Sequence, residues 1–142
     1  MADARTSGNE RSATYRSSSD PLLELLIEMT DETGAELPIT LQVSGLVVSG
    51  KLIGKAAYFD QFTSLFTQGM TDRPTVEGLR TSFAEISADS GSEAVAPPIA
   101  VHVKDAALFG VGNMPVPYER GALWRGRLSE VDAFFLGEIV LG

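Results

Sequence analysis

Two groups of carboxylates come nearest to a chemical site in this sequence. Glu24, Glu28 and Glu32 recur every four residues, a spacing that places side chains on one face of a helix. Glu130 and Asp132 flank a single valine near the C-terminal end. Carboxylates in such patterns could hold a cation or exchange a proton, but both uses require further groups close by. The neighbouring sequence supplies none, so we interpret the first group as a solvated or protein-docking acidic stripe and the second as a solvated turn.

The other residues that could perform chemistry are isolated. His102 is the only histidine and there is no cysteine, so a zinc site built from these residue types cannot be assembled. His102 lies between two valines of an alternating segment, which predicts an outward-facing side chain. The glycines at 110 and 112 lack the third glycine and the lysine of phosphate-binding loops. We therefore expect no catalytic residue, no cofactor and no metal ion.

The chain must position these groups on one modest core, because 142 residues fit a single domain. A hydrophobic fraction of 44% is ordinary for a globular protein. The net charge of −8 repels phosphate backbones and anionic lipid, so binding to nucleic acid or a membrane surface is disfavoured. No apolar run approaches the ~20 residues of a membrane span. We expect a soluble, cytoplasmic protein whose partners are other proteins.

The composition divides the chain into an arm and a domain. Residues 1–19 are polar and rich in serine, which predicts a flexible arm; a weakly adhesive tail is the alternative. Residues 20–142 are predicted to form one domain, with two possible halves, 20–86 and 97–142, joined by the small-residue loop 87–96. Segments 49–52 and 125–128 share a glycine, a basic residue and a leucine in the same order. An internal duplication or chance would explain this.

The first half is predicted to contain a helix, two strands and two further helices. The first helix starts at Asp20-Pro21, the pattern of a capped N-terminus. Its apolar face is predicted to consist of Leu22, Leu25, Leu26 and Met29. Alternation predicts strands over 37–43 and 46–53, and Gly50 inside the second strand predicts a bend or bulge. Two apolar stripes at helical spacing between residues 55 and 86 predict a helical pair.

The second half is predicted to consist of strands. Residues 99–103 alternate as one strand, Lys104-Asp105 is predicted to turn the chain, and 106–109 form a short further strand. The segment 123–141 has the pattern of a hairpin, with a polar break at Glu130-Val131-Asp132. The predicted fold is therefore α+β: a small antiparallel sheet or partly open barrel of about six strands, with an N-terminal helix and a central helical pair.

The C-terminal segment WRGRLSEVDAFFLGEI, residues 124–139, resembles the signature of the gas vesicle accessory protein U (GvpU) family. The residues that carry the resemblance are Trp124, Arg125, Gly126, Val131, Asp132, Phe134, Phe135, Leu136 and Gly137. Residues 48–50 and 58–60 look like the first half of the same family, so the resemblance covers roughly residues 22–140. It implies a non-enzymatic cytoplasmic protein that binds gas vesicle shell proteins or assembled vesicles, promotes vesicle clustering and self-associates as a homo-oligomer.

We treat these signature residues together with Arg127 as the candidate interaction surface. Arg120, Arg125 and Arg127 are the one basic concentration in an acidic chain. They could contact the acidic stripe of a neighbouring copy, or simply solvate one side of a strand. Phe134 and Phe135 point in opposite directions in a strand, so only one of them can face a given core.

Two other functions remain open at this point. An N-terminal helix followed by short bent strands is compatible with an Sm-like ring-forming module that binds RNA or protein, although the acidity of the chain opposes RNA binding. An enzyme that uses Glu130 and Asp132 as a carboxylate pair is the third possibility.

Overall fold

A computed structural model of the chain describes residues 19–89, 97–110 and 121–139. The elements in these ranges are helix α1 (Pro21–Thr33), strands β1 (Leu37–Val43) and β2 (Leu46–Ile53), helices α2 (Lys55–Phe66) and α3 (Arg73–Asp89), and strands β3 (Ala100–Phe109), β4 (Ala122–Arg127) and β5 (Val131–Leu136). A one-turn 3-10 helix, Leu128–Glu130, joins β4 to β5. The predicted α+β class is confirmed, with five strands in the described part rather than about six.

Helix α1 starts where the sequence predicts but buries a different face. The Asp20 carboxylate accepts the N–H of Leu22 at 2.9 Å, and Gly34 ends the helix with a φ of 74°. The residues that α1 buries are Leu23, Ile27 and Thr30, whereas Leu22, Leu25 and Met29 are exposed and Leu26 is half-buried. The predicted apolar face was therefore wrong. Apolar residues surround most of this helix, so the spacing alone fits two faces and packing selects one.

The five strands form one antiparallel sheet in the order β4-β3-β2-β1-β5. Alternate strand residues on one side of the sheet form the core, which α1 and the 3-10 helix cover. Its buried members are Leu23, Ile27, Ile39, Leu41, Val48, Leu52, Val101, Val103, Ala106 and Leu128. Strands from both predicted halves of the domain share this sheet, because β1 pairs with β5 and β2 pairs with β3.

Strand β3 runs without interruption where a turn was predicted. The registers with β2 and β4 shift between Ser49 and Lys51 and between Val103 and Ala106, so the Lys104-Asp105 region is a bulge instead of a reversal. Such a bulge bends the strand and lets it continue. The bend predicted at Gly50 is confirmed. A Cβ at this position would lie 2.6 Å from the carbonyl oxygen of Lys104, so the close approach of the two strands requires glycine.

The predicted C-terminal hairpin does not form. Strand β4 pairs with β3 at one edge of the sheet, and β5 pairs with β1 at the opposite edge. The buried Leu128 fixes the connection, and its N–H donates to the carbonyl of Ile99 at 3.0 Å. Strand β5 also ends earlier than predicted, at Leu136. Because only three residues join the two edge strands, the ends of the sheet are held near each other, as in a partly open barrel.

Helices α2 and α3 form the predicted central pair, joined by the turn that contains Gly69. The Phe83 ring of α3 contacts the rings of Phe62 and Phe66 in α2, with centroid distances of 5.4 and 5.6 Å. Helix α3 continues to Asp89, so the first three residues of the predicted loop 87–96 are helical. The predicted arm up to residue 18, the rest of that loop, Arg120 and residues 140–142 lie outside the described residues.

Candidate interaction surface

The fold distributes the candidate interaction surface over both edges of the sheet. Trp124, Arg125, Gly126 and Arg127 belong to β4, Val131, Asp132, Phe134, Phe135 and Leu136 belong to β5, and Gly137 follows directly. Residues that are contiguous in sequence therefore lie on two edges, with the 3-10 helix between them. The sequence indicated one surface, and the structure separates it into two.

On the β4 edge, the two sides of the strand differ in chemistry. Trp124 is half-buried and packs against the core. A Cβ on Gly126 would overlap the indole of Trp124, so the glycine makes room for the ring that lies on the same side of the strand. Arg125 and Arg127 point to the other side and are exposed. Among the described residues, no carboxylate forms an ion pair with either arginine.

Arg125 lies over a buried imidazole. Its Nη1 is 3.5 Å from Nε2 of His102, and its guanidinium lies 5.2 Å from the centroid of the Phe59 ring. Because guanidinium only donates hydrogen bonds, Nε2 must accept and the imidazole is neutral in this contact. Burial, and then the charges of Arg125 and Lys55, lower the pKa of His102 to about 3.

His102 lies on the predicted side of its strand, but it is not exposed to solvent. The side chain does point away from the core, but α2 covers that side of β3 and leaves His102 only 5% exposed. The ring of Tyr58 in α2 lies 4.5 Å from the imidazole. Within the described ranges, no cluster of three or more histidine, aspartate or glutamate residues could hold a metal ion. His102 thus serves the packing of α2 on the sheet, a role that the alternating pattern could not show.

An open groove of about 630 Å³ runs between α2 and α3 beside this cluster. Its charged lining residues are Lys55, Asp60 and Arg80, and Arg80 lies 3.9 Å from the Asp60 carboxylate. Phe59 and Thr63 also line it. The groove carries both signs of charge, and no buried polar side-chain atom in its described lining lacks a hydrogen-bond partner, so this lining gives no preference for one class of ligand.

On the β5 edge, the two phenylalanines have different environments. Phe134 is half-buried and packs against the core, whereas Phe135 is 55% exposed. Leu136 is 59% exposed, although it lies opposite the buried Ile39. Phe135 and Leu136 are thus two exposed large apolar side chains at this edge, and as neighbours in a strand they point to opposite sides of the sheet.

The carboxylate pair Glu130 and Asp132 holds the β1–β2 turn. The carboxylate of Asp132 accepts the N–H of Ser44 at 3.1 Å, and that of Glu130 accepts the Ser44 hydroxyl at 3.3 Å. Ser44 and Gly45 both have positive φ, of 50° and 85°, as a two-residue hairpin turn requires. The position of the two carboxylates is therefore explained by the attachment of β5 to this turn.

The segment after β5 crosses the sheet and is held there by two hydroxyl groups, those of Thr40 and Ser49, which sequence reasoning missed. Gly137 has a φ of 111° and redirects the chain after β5. The buried hydroxyl of Thr40 donates to the carbonyl of Gly137 at 2.7 Å. The N–H of Ile139 donates to the hydroxyl of Ser49 at 2.7 Å. The alternating pattern assigns Thr40 to the outward side of β1, but a pattern within one strand cannot reveal that a later segment covers it.

The acidic stripe lies beside an exposed apolar surface on α1. Glu24 is half-buried and accepts the Ser19 hydroxyl at 2.5 Å. Glu28 and Glu32 are exposed and, among the described residues, form no ion pair. We define the outer face of α1 as Leu22, Leu25 and Met29 with the flanking Glu28 and Glu32. The structure places this face on α1 and not on the two sheet edges.

Comparison with models of known protein families gives a match for this chain. A model of the protein family described as "Gas vesicle protein GvpU-like" matches residues 20–139, which is most of the chain and includes all five strands. This match confirms the resemblance of the C-terminal segment. Comparisons with curated proteins and with solved structures give no match. In the described ranges, no helix combines the length and apolarity needed to cross a membrane.

Proposed function

The chain belongs to the GvpU-like family of gas vesicle proteins, and we propose that it is a non-enzymatic accessory protein of the cytoplasm that clusters gas vesicles. In this proposal it binds the vesicle surface and also associates with itself. A small protein that joins two large particles needs at least two separate contact surfaces. The observation that supports the proposal is that the described part of the chain offers three: the outer face of α1 and the two edges of the sheet.

We assign the outer face of α1 to the vesicle surface. Leu22 and Leu25 are 56% and 59% exposed, although Leu23 and Ile27 of the same helix are buried. A single exposed leucine is ordinary, but three large apolar residues at helical spacing form a stripe that fits a protein groove. Glu28 and Glu32 flank this stripe and favour a partner that combines apolar with basic side chains. A shell protein with such a surface is the partner that we propose.

We assign self-association to contacts between oppositely charged surfaces of neighbouring copies, with Arg125 and Arg127 providing the positive surface. Arg125 and Arg127 have no carboxylate partner in the described structure, while the chain as a whole carries a net charge of −8. Each exposed ion pair between copies would contribute only ~0–1 kcal/mol, so several must act together and salt would weaken them. Weak, multiple contacts of this kind allow clusters to form and disperse reversibly.

The test is flotation of purified gas vesicles with the full chain, which separates vesicle-bound from free protein. We expect the chain to rise with the vesicles and to gather them into clusters visible by light scattering. The double variant L22S/L25S should lose flotation. The matched control is L65S, because Leu65 is also 59% exposed but lies near the end of α2. Equal flotation of both variants would contradict the assignment to α1, and no enrichment of the parent chain over an unrelated acidic protein would overturn the function.

A second candidate is the Sm-like ring-forming module. The observation in its favour is an N-terminal helix followed by a five-stranded antiparallel sheet whose two edge strands have no second partner among the described strands. The net charge favours protein over RNA as its partner. Filter binding with single-stranded RNA at low salt should give no retention; retention that falls with added salt would support this candidate instead.

A further inference from the structure

The topology of the sheet prevents its two edges from closing on each other. All neighbouring strands are antiparallel in the order β4-β3-β2-β1-β5, so β4 and β5 run in the same direction within the sheet. Their pairing within one chain would have to be parallel, and a parallel pair needs a crossover connection of about a dozen residues or more. The connection here is the 3-10 helix Leu128–Glu130, with three residues. Among the described strands, the outer side of each edge therefore has no partner.

At the β4 edge, one hydrogen bond on the side that faces β3 determines which backbone N–H and C=O groups point outward. The N–H of Leu128 donates to Ile99 of the β3 segment. Because backbone groups alternate in direction along a strand, those of Trp124 and Gly126 point to β3 as well. The N–H and C=O groups of Leu123, Arg125 and Arg127 then point outward. In the described part of the chain, no strand pairs with this outer side of β4.

The same reasoning defines the β5 edge. The N–H of Gly137 donates to the carbonyl of Pro38 at 2.8 Å, on the β1 side. Phe135 lies two residues earlier and has its backbone groups directed to β1 too. The N–H and C=O groups of Phe134 and Leu136 consequently point outward. Asp132 lies at the bulge where the register with β1 shifts.

We infer that β4 of one copy pairs antiparallel with β5 of the next copy, so that copies join head to tail. This inference rests on the proposed self-association and specifies its surface. The register that uses the outward groups of both strands sets Leu123 opposite Leu136 and Arg125 opposite Phe134. It also places Arg127 beside Asp132 of the neighbouring copy.

The side chains support this pairing over its alternatives. In the inferred register the half-buried Trp124 lies opposite Phe135, which is 55% exposed in the single chain. Leu136 gains an apolar neighbour in Leu123. Pairing β4 with a second β4 would bring arginines together, whereas pairing β4 with β5 sets cations near Asp132. Cross-strand apolar pairs and opposite charges each stabilise a ladder, and like charges destabilise it.

Head-to-tail pairing leaves one β4 edge and one β5 edge free on every growing assembly. Such an interface produces a ring where the rotation between copies closes and an open filament where it does not. In a ring and in a filament alike, each copy contributes one outer face of α1 to the same protein assembly. Several weak vesicle contacts then act at high effective concentration, which supplies the multivalency that clustering needs.

Disulfide cross-linking tests the pairing directly, because the chain has no cysteine. Directly opposite residues in a hydrogen-bonded antiparallel pair have Cα atoms about 5.5 Å apart, a separation that a disulfide spans. Full-length L123C and L136C are oxidised separately and as an equal mixture, in the absence of vesicles. The mixture should form covalent dimers, while each variant alone should form no more than A57C, an exposed control on α2. Equal cross-linking of either variant with itself, or none in the mixture, would overturn the inference.

A charge exchange provides a second readout that does not depend on cysteines. R127D should weaken self-association in analytical ultracentrifugation at least several-fold, and R127D/D132R should recover it. Circular dichroism identifies variants that remain folded, and a folded double variant without recovery contradicts the pairing. Both experiments omit vesicles, so a failed flotation test leaves them interpretable. Clustering by a chain that does not cross-link would reject the edge pairing and leave the proposed function standing.

Discussion

The stability of the fold should fall on acidification because of the single buried imidazole. The pKa of His102 is lowered from 6.5 to about 3 in the folded chain. Since the folded value lies below the unfolded value, the unfolded chain binds the additional proton between these limits. The contribution of His102 to stability is therefore complete above pH 6.5 and is lost as the pH falls towards about 3. One pH unit within this window corresponds to about 1.4 kcal/mol.

The structure explains the size and sign of this effect. Burial against α2 is the largest cause, and the charges of Arg125 and Lys55 act in the same direction. Protonation would place a third cation between them and would remove the acceptor that faces Nη1 of Arg125. Tyr58, the other titratable group against the ring, is neutral over this range, because burial raises its pKa above the usual 10.0. Between pH 6.5 and about pH 5, we expect a loss of about 2 kcal/mol in the free energy of unfolding.

The measurement is urea unfolding followed by the fluorescence of Trp124, the only tryptophan, at several pH values across this window. H102Q is the matched variant, because a glutamine oxygen can still accept from Arg125 but does not titrate. Surface carboxylates contribute equally to both proteins and cancel in the difference. The parent chain should lose about 2 kcal/mol more than H102Q. Parallel pH profiles of the two proteins would refute the assignment of a buried neutral imidazole.

Three further predictions test the packing that positions the two edges. G126A should displace the Trp124 indole and lower the free energy of unfolding by ~1–3 kcal/mol, seen as a lower melting temperature and a shifted fluorescence maximum. The control G78A should instead stabilise α3, because a Cβ at Gly78 meets no atom within 4 Å. Equal effects of the two variants would contradict the close fit at β4. D31A should lower the free energy of unfolding by ~0.5–2 kcal/mol, because Asp31 accepts the N–H of Lys55 at the start of α2 at 2.8 Å. The control E32A should change the free energy of unfolding by less than ~0.5 kcal/mol. A D31A variant as stable as E32A would show that this cap contributes nothing. T40V should cost ~1–3 kcal/mol by leaving polar partners unpaired and should speed amide exchange at Ile139, and unchanged exchange there would argue against the crossing of the sheet by the C-terminal segment.

Local signals in the sequence predicted the local structure. The cap at Asp20 and the bend at Gly50 each follow from residues whose backbone or hydrogen-bonding preferences act within a few positions. The helical pair after residue 54 follows in the same way from apolar spacing. These features are confirmed because no distant contact competes with the local preference.

The incorrect predictions arose where distant contacts decide between local alternatives. Two faces of α1 have helical apolar spacing, and only the sheet selects the one with Leu23 and Ile27. Lys104-Asp105 has the composition of a turn, but β2 and β4 pair on both sides of it and turn it into a bulge. His102 alternates with buried valines, and only α2 makes its side of β3 buried. In each case the deciding partner is far away in sequence.

The candidate interaction surface shows the same difference between what local sequence signals predict and what distant contacts decide. An alternating strand, a polar break and a second apolar run predict a hairpin, and a hairpin would have satisfied β4 and β5 within one chain. The buried Leu128 and the anchoring of β5 on the Ser44 turn direct the two strands to opposite edges instead. Because three residues cannot make a parallel crossover, the outer backbone groups of both edges have no strand partner within the described part of the chain. In the inferred head-to-tail assembly, the short connection that keeps this sheet open also gives each copy two complementary ends.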